Sequence, residues 1–263
     1  MVRMEHAQNA FHPKICILSA AGGCGKTTLA VNLFRPFLEN PLMLFMGPFP
    51  EKMFSLKGME AHFMRGSEVN DLLVQTVVYA DRPIIADIRM NVVEAFLDGV
   101  KACFTPKDVF FDLFVIPVTA DPYSLHRGMW TADYLHDAHV PWEKILFLPV
   151  RVNEGAEKDA LCAVQQAVRD HYPEGTGSRI PEGEFIEENP VFDDMYGAGV
   201  CLTDLSEVPD APGRWSLCCQ SEREAGKPSP AFIRLEEEMD YLRPRMKRVF
   251  NEVMTHLPDF TQA

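Results

Sequence analysis

Short apolar runs alternate with stretches of helical periodicity through the first 150 residues, the pattern of parallel strands joined by crossover helices. Lys14 to Ser19 (KICILS) reads as a strand, and Leu42 to Met46 as a second. Between them Leu29, Leu33, Phe34, Phe37 and Leu38 recur at helical spacing, predicting a helix over Thr27 to Asn40 with a kink at Pro36. Pro41 stops that helix, and Gly47-Pro48-Phe49-Pro50 places Met46 near a strand end. Ser67 is the expected cap of a helix carrying Val69, Leu72, Leu73 and Val77. Pro83 to Ala86 is a buried strand ending at Asp87, followed by a helix from Val92 to Phe104. Leu113 to Thr119 is a further strand, Asp121-Pro122 opens a helix over Ser124 to Ala138, and Lys144 to Leu148 is the next strand. The fold class is α/β: a doubly wound, mostly parallel sheet with flanking helices.

Beyond Val150 the pattern changes. Ala156 to His171 is helical, Tyr172 to Glu184 is loop-like, and Leu202 to Pro230 is rich in Pro, Gly and Ser without a clear period. Ala231 to His256 is a charged helix containing Pro244.

Charge and composition narrow the partners. A formal net charge of -13 repels nucleic-acid phosphates unless basic residues gather on one face, so direct nucleic-acid binding is not expected. Arg243, Arg245, Lys247 and Arg248 do cluster, but Glu236, Glu237, Glu238 and Asp240 precede them, which predicts a self-paired, solvated helix face. The longest apolar stretches, such as Phe110 to Thr119, are strand-sized, so no transmembrane segment is expected. Met1 to Pro13 has no apolar signal core, and the seven scattered cysteines suit reduced thiols; both point to a cytoplasmic protein.

The chemistry sits in Ala20-Ala21-Gly22-Gly23-Cys24-Gly25-Lys26-Thr27-Thr28. A loop wrapped just before a helix directs several backbone N–H groups and the helix dipole at one point, as phosphate requires. In this spacing Lys26 serves the β- and γ-phosphates and Thr27 offers its hydroxyl to Mg²⁺, while Gly22, Gly23 and Gly25 shape the cradle. Ala20 stands where the usual pattern begins with Gly. A carboxylate at a neighbouring strand end is also needed to support the metal or orient water, and Asp87 has that context. The alternative for Asp87 is a helix cap. Cys24 has no base beside it in sequence and reads as packing or an oxidation-sensitive thiol. His126, His136 and His139 lack the flanking ligands of a zinc site.

Gly22-Gly23-Cys24-Gly25-Lys26-Thr27-Thr28 resembles the GGxGKTT loop of the deviant Walker ATPases of the ParA/MinD type. Ile84 to Asp87 is similar to their second acidic motif, and Val115 to Leu125 (VIPVTADPYSL) to their strand leading into an aspartate–proline turn. Within that group the chain resembles the StbB accessory family of plasmid stability and conjugation, through Leu33-Phe34-Arg35-Pro36, Val93-Glu94-Ala95-Phe96, Val140 to Ile145 and Phe185 to Phe192. The resemblance spans most of Lys14 to Met195. It implies ATP and Mg²⁺ as cofactors, a nucleotide-dependent homodimer, and a plasmid-encoded DNA-binding or transfer protein as partner, with recruitment to nucleoid, pole or membrane through that partner. It also implies nucleotide contacts from residues 21–28, and an adenine-facing asparagine, for which Asn153 is the candidate.

The departures are specific. Ala21 replaces the signature lysine that reaches the partner subunit's nucleotide, and the acidic residue expected near Met46 is missing, with Glu51 and Arg89 as substitutes or as ordinary loop residues. Losing both weakens the electrostatic stabilisation of phosphoryl transfer, so Lys26 and Asp87 are expected to support slow or partner-stimulated hydrolysis. The expected function is a nucleotide switch in plasmid stability, partition or conjugative transfer. A nucleotide-binding module without turnover, or a small-molecule kinase or ligase on the same fold, are the alternatives. The expected organisation is an extension (1–13), a nucleotide-binding domain (14–200), an irregular insertion (201–230) and a helical segment packed on the domain (231–263).

Overall fold

The computed structural model describes residues 11–48, 59–103, 110–172, 180–204 and 230–257. Seven parallel strands form one sheet: β1 (Lys14–Leu18), β2 (Leu42–Met46), β3 (Ala61–Met64), β4 (Ile84–Ile88), β5 (Leu113–Val118), β6 (Ile145–Val152) and β7 (Ile186–Glu187), in the order β3-β2-β4-β1-β5-β6-β7. The central strands are buried along their length, Lys14 at the start of β1 excepted, which is why they read as continuous apolar runs instead of alternating ones.

Alternate residues of each strand serve opposite faces. Ile15, Ile17 and Ile85 belong to a core under the helical segment that opens with α1 (Lys26–Thr28), together with α6 (Val191–Ala198) and α7 (Pro230–Met254). Cys16, Leu18, Ala86 and Ile88 face the other core, covered by α2 (Val69–Val78), α3 (Val93–Ala102), α4 (Pro122–Asp137) and α5 (Glu157–His171). Asp87 lies on the same face as Ile85, so period-two geometry turns its carboxylate towards α1.

Several local expectations are corrected. The first helix is not a kinked rod to Asn40. From Thr28 it continues as a π-helical segment, Leu29–Phe34, where Arg35 N–H donates to the Ala30 carbonyl. A 3₁₀ turn, Arg35–Phe37, then ends it. Pro36 has no N–H to continue the ladder, so it terminates the helix instead of bending it. Ser67 is not the cap of α2; Glu68 holds that position and makes no side-chain capping bond. The strand at Asp87 runs one residue further, to Ile88, and the helix after it starts with a 3₁₀ turn at Met90–Val92. The strand from Lys144 begins at Ile145 and extends to Val152. β3, β7 and α6 were not anticipated. Phe104, Glu51 and the irregular stretch from 205 to 229 lie outside the described residues.

The charged face of α7 also pairs differently. Arg234 bonds Glu238 within the helix at 2.9 Å, but Arg245 pairs with Glu187 and Arg248 approaches Glu184, both near β7. Lys247 lies 4.8 Å over the rings of Phe37 and Phe250. No described helix is long and apolar enough to cross a membrane.

Candidate nucleotide site

The loop between β1 and α1 sits at the carboxyl edge of the central strands, where open parallel sheets place their ligands. Its start is pinned to α4: Ala20 N–H donates to Thr131 Oγ1 at 3.1 Å. Gly25 adopts φ 74°, a left-handed conformation that glycine tolerates without cost, and turns the chain directly into α1. Leu29 N–H closes the first turn onto the Gly25 carbonyl at 2.9 Å. The Lys26 ammonium folds back inside this loop, donating to the carbonyls of Ala21 at 2.6 Å and Ser19 at 3.1 Å. Although it is only 8% exposed, it borders the opening formed by residues 22–28. Its charge is therefore held where backbone N–H groups and the helix dipole already favour an anion. Cys24 Sγ lies 3.4 Å from Lys26 Nζ and bonds the Ala21 carbonyl, so it is part of the loop's internal packing.

The sheet register brings Asp87 beside this loop, because β4 pairs directly with β1. Thr27 Oγ1 donates to Asp87 Oδ2 at 2.6 Å, joining residues 60 positions apart. Asp87 Oδ1 is buried and has no hydrogen-bond partner. Burial raises the Asp87 pKa; the Thr27 hydroxyl and the charges of Arg89 and Lys26 pull it back down in part. A hydroxyl, an unsatisfied carboxylate oxygen and an anion-binding loop within one opening fit a divalent cation bound together with phosphate. No group of three or more His, Cys, Asp or Glu among the described residues could hold a metal by itself. That suits Mg²⁺, which keeps waters and binds through few carboxylates plus phosphate oxygens.

A second cavity, of about 250 Å³, opens on the other side of the loop. Thr28, Leu29, Val150, Ile186, Pro190 and Phe192 contribute to its wall, making it largely apolar with polar groups at the rim. Between this cavity and the outer cleft stands Arg151. A register shift between β6 and β7 puts it at φ 55°, and its guanidinium donates to the Gly23 carbonyl at 3.2 Å and to Glu188 Oε1 at 2.6 Å. Asn153 follows β6 and is exposed; it lines the cleft shared with Thr119, Asp121 and Tyr123, not the apolar cavity.

Thus residues 22–28 and Asp87 line one opening, with Ala21 buried behind it, and Asn153 lines an adjoining cleft that shares Gly22 and Gly23 with that opening. The sequence pattern carries no binding role for Arg151, and the 186–192 segment enters it only within the resemblance of Phe185 to Phe192. The available signals were the family resemblance of Phe185 to Phe192 and, within the segment, Pro190 and Phe192.

No protein family matches the sequence, and no curated protein matches it significantly. Solved structures of similar fold include an ATP complex of McdA from Cyanothece, 15% identical over 90% of this chain and 97% of that one, with a TM-score of 0.49. The septum site-determining protein MinD from Pyrococcus horikoshii, complexed with Mg-ADP, is 15% identical over 83% of this chain and 99% of that one, with a TM-score of 0.49. The MinC:MinD cell division complex of Aquifex aeolicus gives 16%, 83%, 97% and 0.48 in the same order.

Proposed function

We propose that this chain is an ATP-binding, Mg²⁺-dependent nucleotide switch with slow or partner-stimulated hydrolysis. The observation that carries the reading is the Thr27–Asp87 hydrogen bond at the mouth of the loop closed by Lys26. A phosphate loop alone holds an anion; the added hydroxyl–carboxylate pair gives a cation a reason to be there. In this reading Lys26 and the N–H groups of residues 22–28 bind the phosphates, and Thr27 and Asp87 hold the metal. The apolar cavity takes the purine base, leaving the ribose to pass beside Thr28. Mg²⁺ neutralises charge on the phosphate oxygens when bound. Asp87 sits close enough to that point to orient a water through its second oxygen. The loops after Asp87 and around Asp121 border the site, so bound triphosphate orders them and changes the surface offered to a partner or second subunit.

The resemblance to StbB supports a role in plasmid stability or conjugative transfer, through a plasmid-encoded DNA-binding or transfer protein. Residues 14–200 form the nucleotide domain in this reading, with residues 231–263 packed on it.

The second reading, a module that keeps nucleotide without turnover, is favoured by the buried Ala21 and by Gly47 at the end of β2 where an acid is expected. Calorimetric titration of MgATP tests the site: the wild type binds, and Lys26→Ala loses at least a hundredfold in affinity. Undiminished affinity in that variant refutes the assignment. Light scattering with ADP and a slowly hydrolysed ATP analogue separates the two readings, since a triphosphate-specific change of mass belongs to the switch alone.

A further inference from the structure

Ala21 leaves the phosphate site with a single lysine, and a triphosphate bearing about four negative charges is poorly matched by one ammonium and one divalent ion. A second cation is nevertheless present. Arg89 lies two residues beyond Asp87 and lines the same opening as Lys26, Thr27, Asp87 and Asn91. Its backbone N–H donates to the Met46 carbonyl at 3.0 Å, fixing the exit of β4 against the exit of β2.

From there the side chain crosses Gly47. That glycine has φ 126°, and a Cβ placed on it would come within 2.9 Å of Arg89 Cβ and 3.2 Å of Arg89 Cδ. Gly47 and the arginine are therefore sterically linked. A side chain at position 47 would occupy the path of the arginine stem, while glycine lets the stem lie across the strand end and reach the phosphate opening.

Most buried guanidinium N–H groups in proteins are paired. Arg89 Nε is shut off from water and has no hydrogen-bond partner. Arg89 borders the opening beside Lys26 while its buried Nε has no acceptor, so the guanidinium keeps donor capacity that an anionic ligand in the opening can use.

We propose that Arg89 is the triphosphate-sensing cation of this site: it contacts the terminal phosphate of bound ATP from within the same chain, and so sets the preference for triphosphate over diphosphate. This rests on the nucleotide reading above. Arg89 takes over in cis the charge that position 21 does not supply, so discrimination needs no second subunit.

The test compares the affinities of MgADP and of a slowly hydrolysed MgATP analogue by calorimetry. Arg89→Met keeps the apolar stem over Gly47 and removes the charge. It is expected to weaken triphosphate binding at least about tenfold while leaving diphosphate binding within about threefold. Arg89→Lys, with one shorter-reaching ammonium, falls between. Gly47→Ala leaves the guanidinium intact but displaces its stem, and is expected to lower the triphosphate preference in the same direction. Melting curves of each variant show that the protein is folded.

An unchanged triphosphate-to-diphosphate ratio in Arg89→Met overturns the proposal. So does an equal loss for both nucleotides that is restored at higher pH, because Arg89 would then act only by holding Asp87 ionised. If the wild type binds neither nucleotide, the phosphate-site reading itself fails, and that outcome is distinct because no preference exists for Arg89 to alter.

Discussion

A carboxylate taken out of water is destabilising unless cations and donors replace its hydration. Asp87 has one donor, Thr27, and two cations at a distance, and burial still wins: its pKa is raised from 3.8. Because the folded value lies above the unfolded one, folding favours the proton. The associated stability is present at low pH and is lost as pH rises through the folded pKa. Wherever Asp87 is ionised, its charge is thus a cost to the ligand-free fold. Asp87→Asn, which imitates the neutral acid, is expected to raise ligand-free stability while abolishing Mg²⁺-dependent nucleotide binding. Urea midpoints at pH 7 and calorimetry with and without Mg²⁺ check the two halves; a lowered midpoint would contradict the burial argument. Such opposition between stability and ligand binding is what a functional carboxylate produces and a helix cap does not.

Asp121 shows the opposite sign at the level of an element. It is exposed at the N-cap of α4, where its carboxylate accepts from Thr119 Oγ1 and from Ser124 N–H at 2.9 Å, with Pro122 in the first turn. The Thr119 hydrogen bond, then the Ser124 one, lowers its pKa from 3.8. Its contribution is therefore complete above the unfolded value and is lost as pH falls through the folded one. Asp121→Ala is expected to cost about 0.5–1 kcal/mol at pH 7, at the low end for a cap because solvent screens the charge. The difference from wild type shrinks in acid, as thermal melts at pH 7 and pH 3 would show. This cap was legible because Asp-Pro before an apolar period is a local signal. β3 was not. It is an edge strand whose residues Ala61, His62 and Phe63 are only partly covered, so its composition carries no continuous apolar run. β7, with two residues, is too short for any period. The π-helical segment of the first helix also has no sequence signature, since the same apolar spacing serves either helix type.

Across the whole molecule, the last described helix is part of the core beneath the β1–α1 loop. Leu235, Met239, Leu242, Met246, Val249, Phe250 and Val253 join β1 and the Leu29–Phe34 segment in one buried cluster. Phe250 meets Phe37 at 5.3 Å and Phe34 at 6.4 Å between ring centroids. Phe250→Ala is expected to cost about 3–5 kcal/mol, measured by chemical denaturation, with nucleotide affinity of the folded protein changed little. Loss of that helix alone, with the rest melting normally, would show instead that it is a separate unit. Arg245–Glu187 and Arg151–Glu188 extend the same connection from the helix to the glycine-rich loop through adjacent residues at the end of β7.

What the sequence determined by itself was local: the glycine-rich turn before α1, the strands that read as apolar runs, and the capped helix after Asp121. Each is specified by neighbours within a turn or two, where backbone geometry and side-chain type act directly. The tertiary structure alone decided which distant groups meet. Sheet order placed Asp87 against Thr27, and the bare end of β2 let Arg89 cross Gly47. A β6–β7 register shift turned Arg151 onto the loop, while Asn153 was left outside the apolar cavity. These outcomes depend on strand pairing between residues far apart in the chain, and spacing along the sequence does not encode which strands become neighbours or in what register.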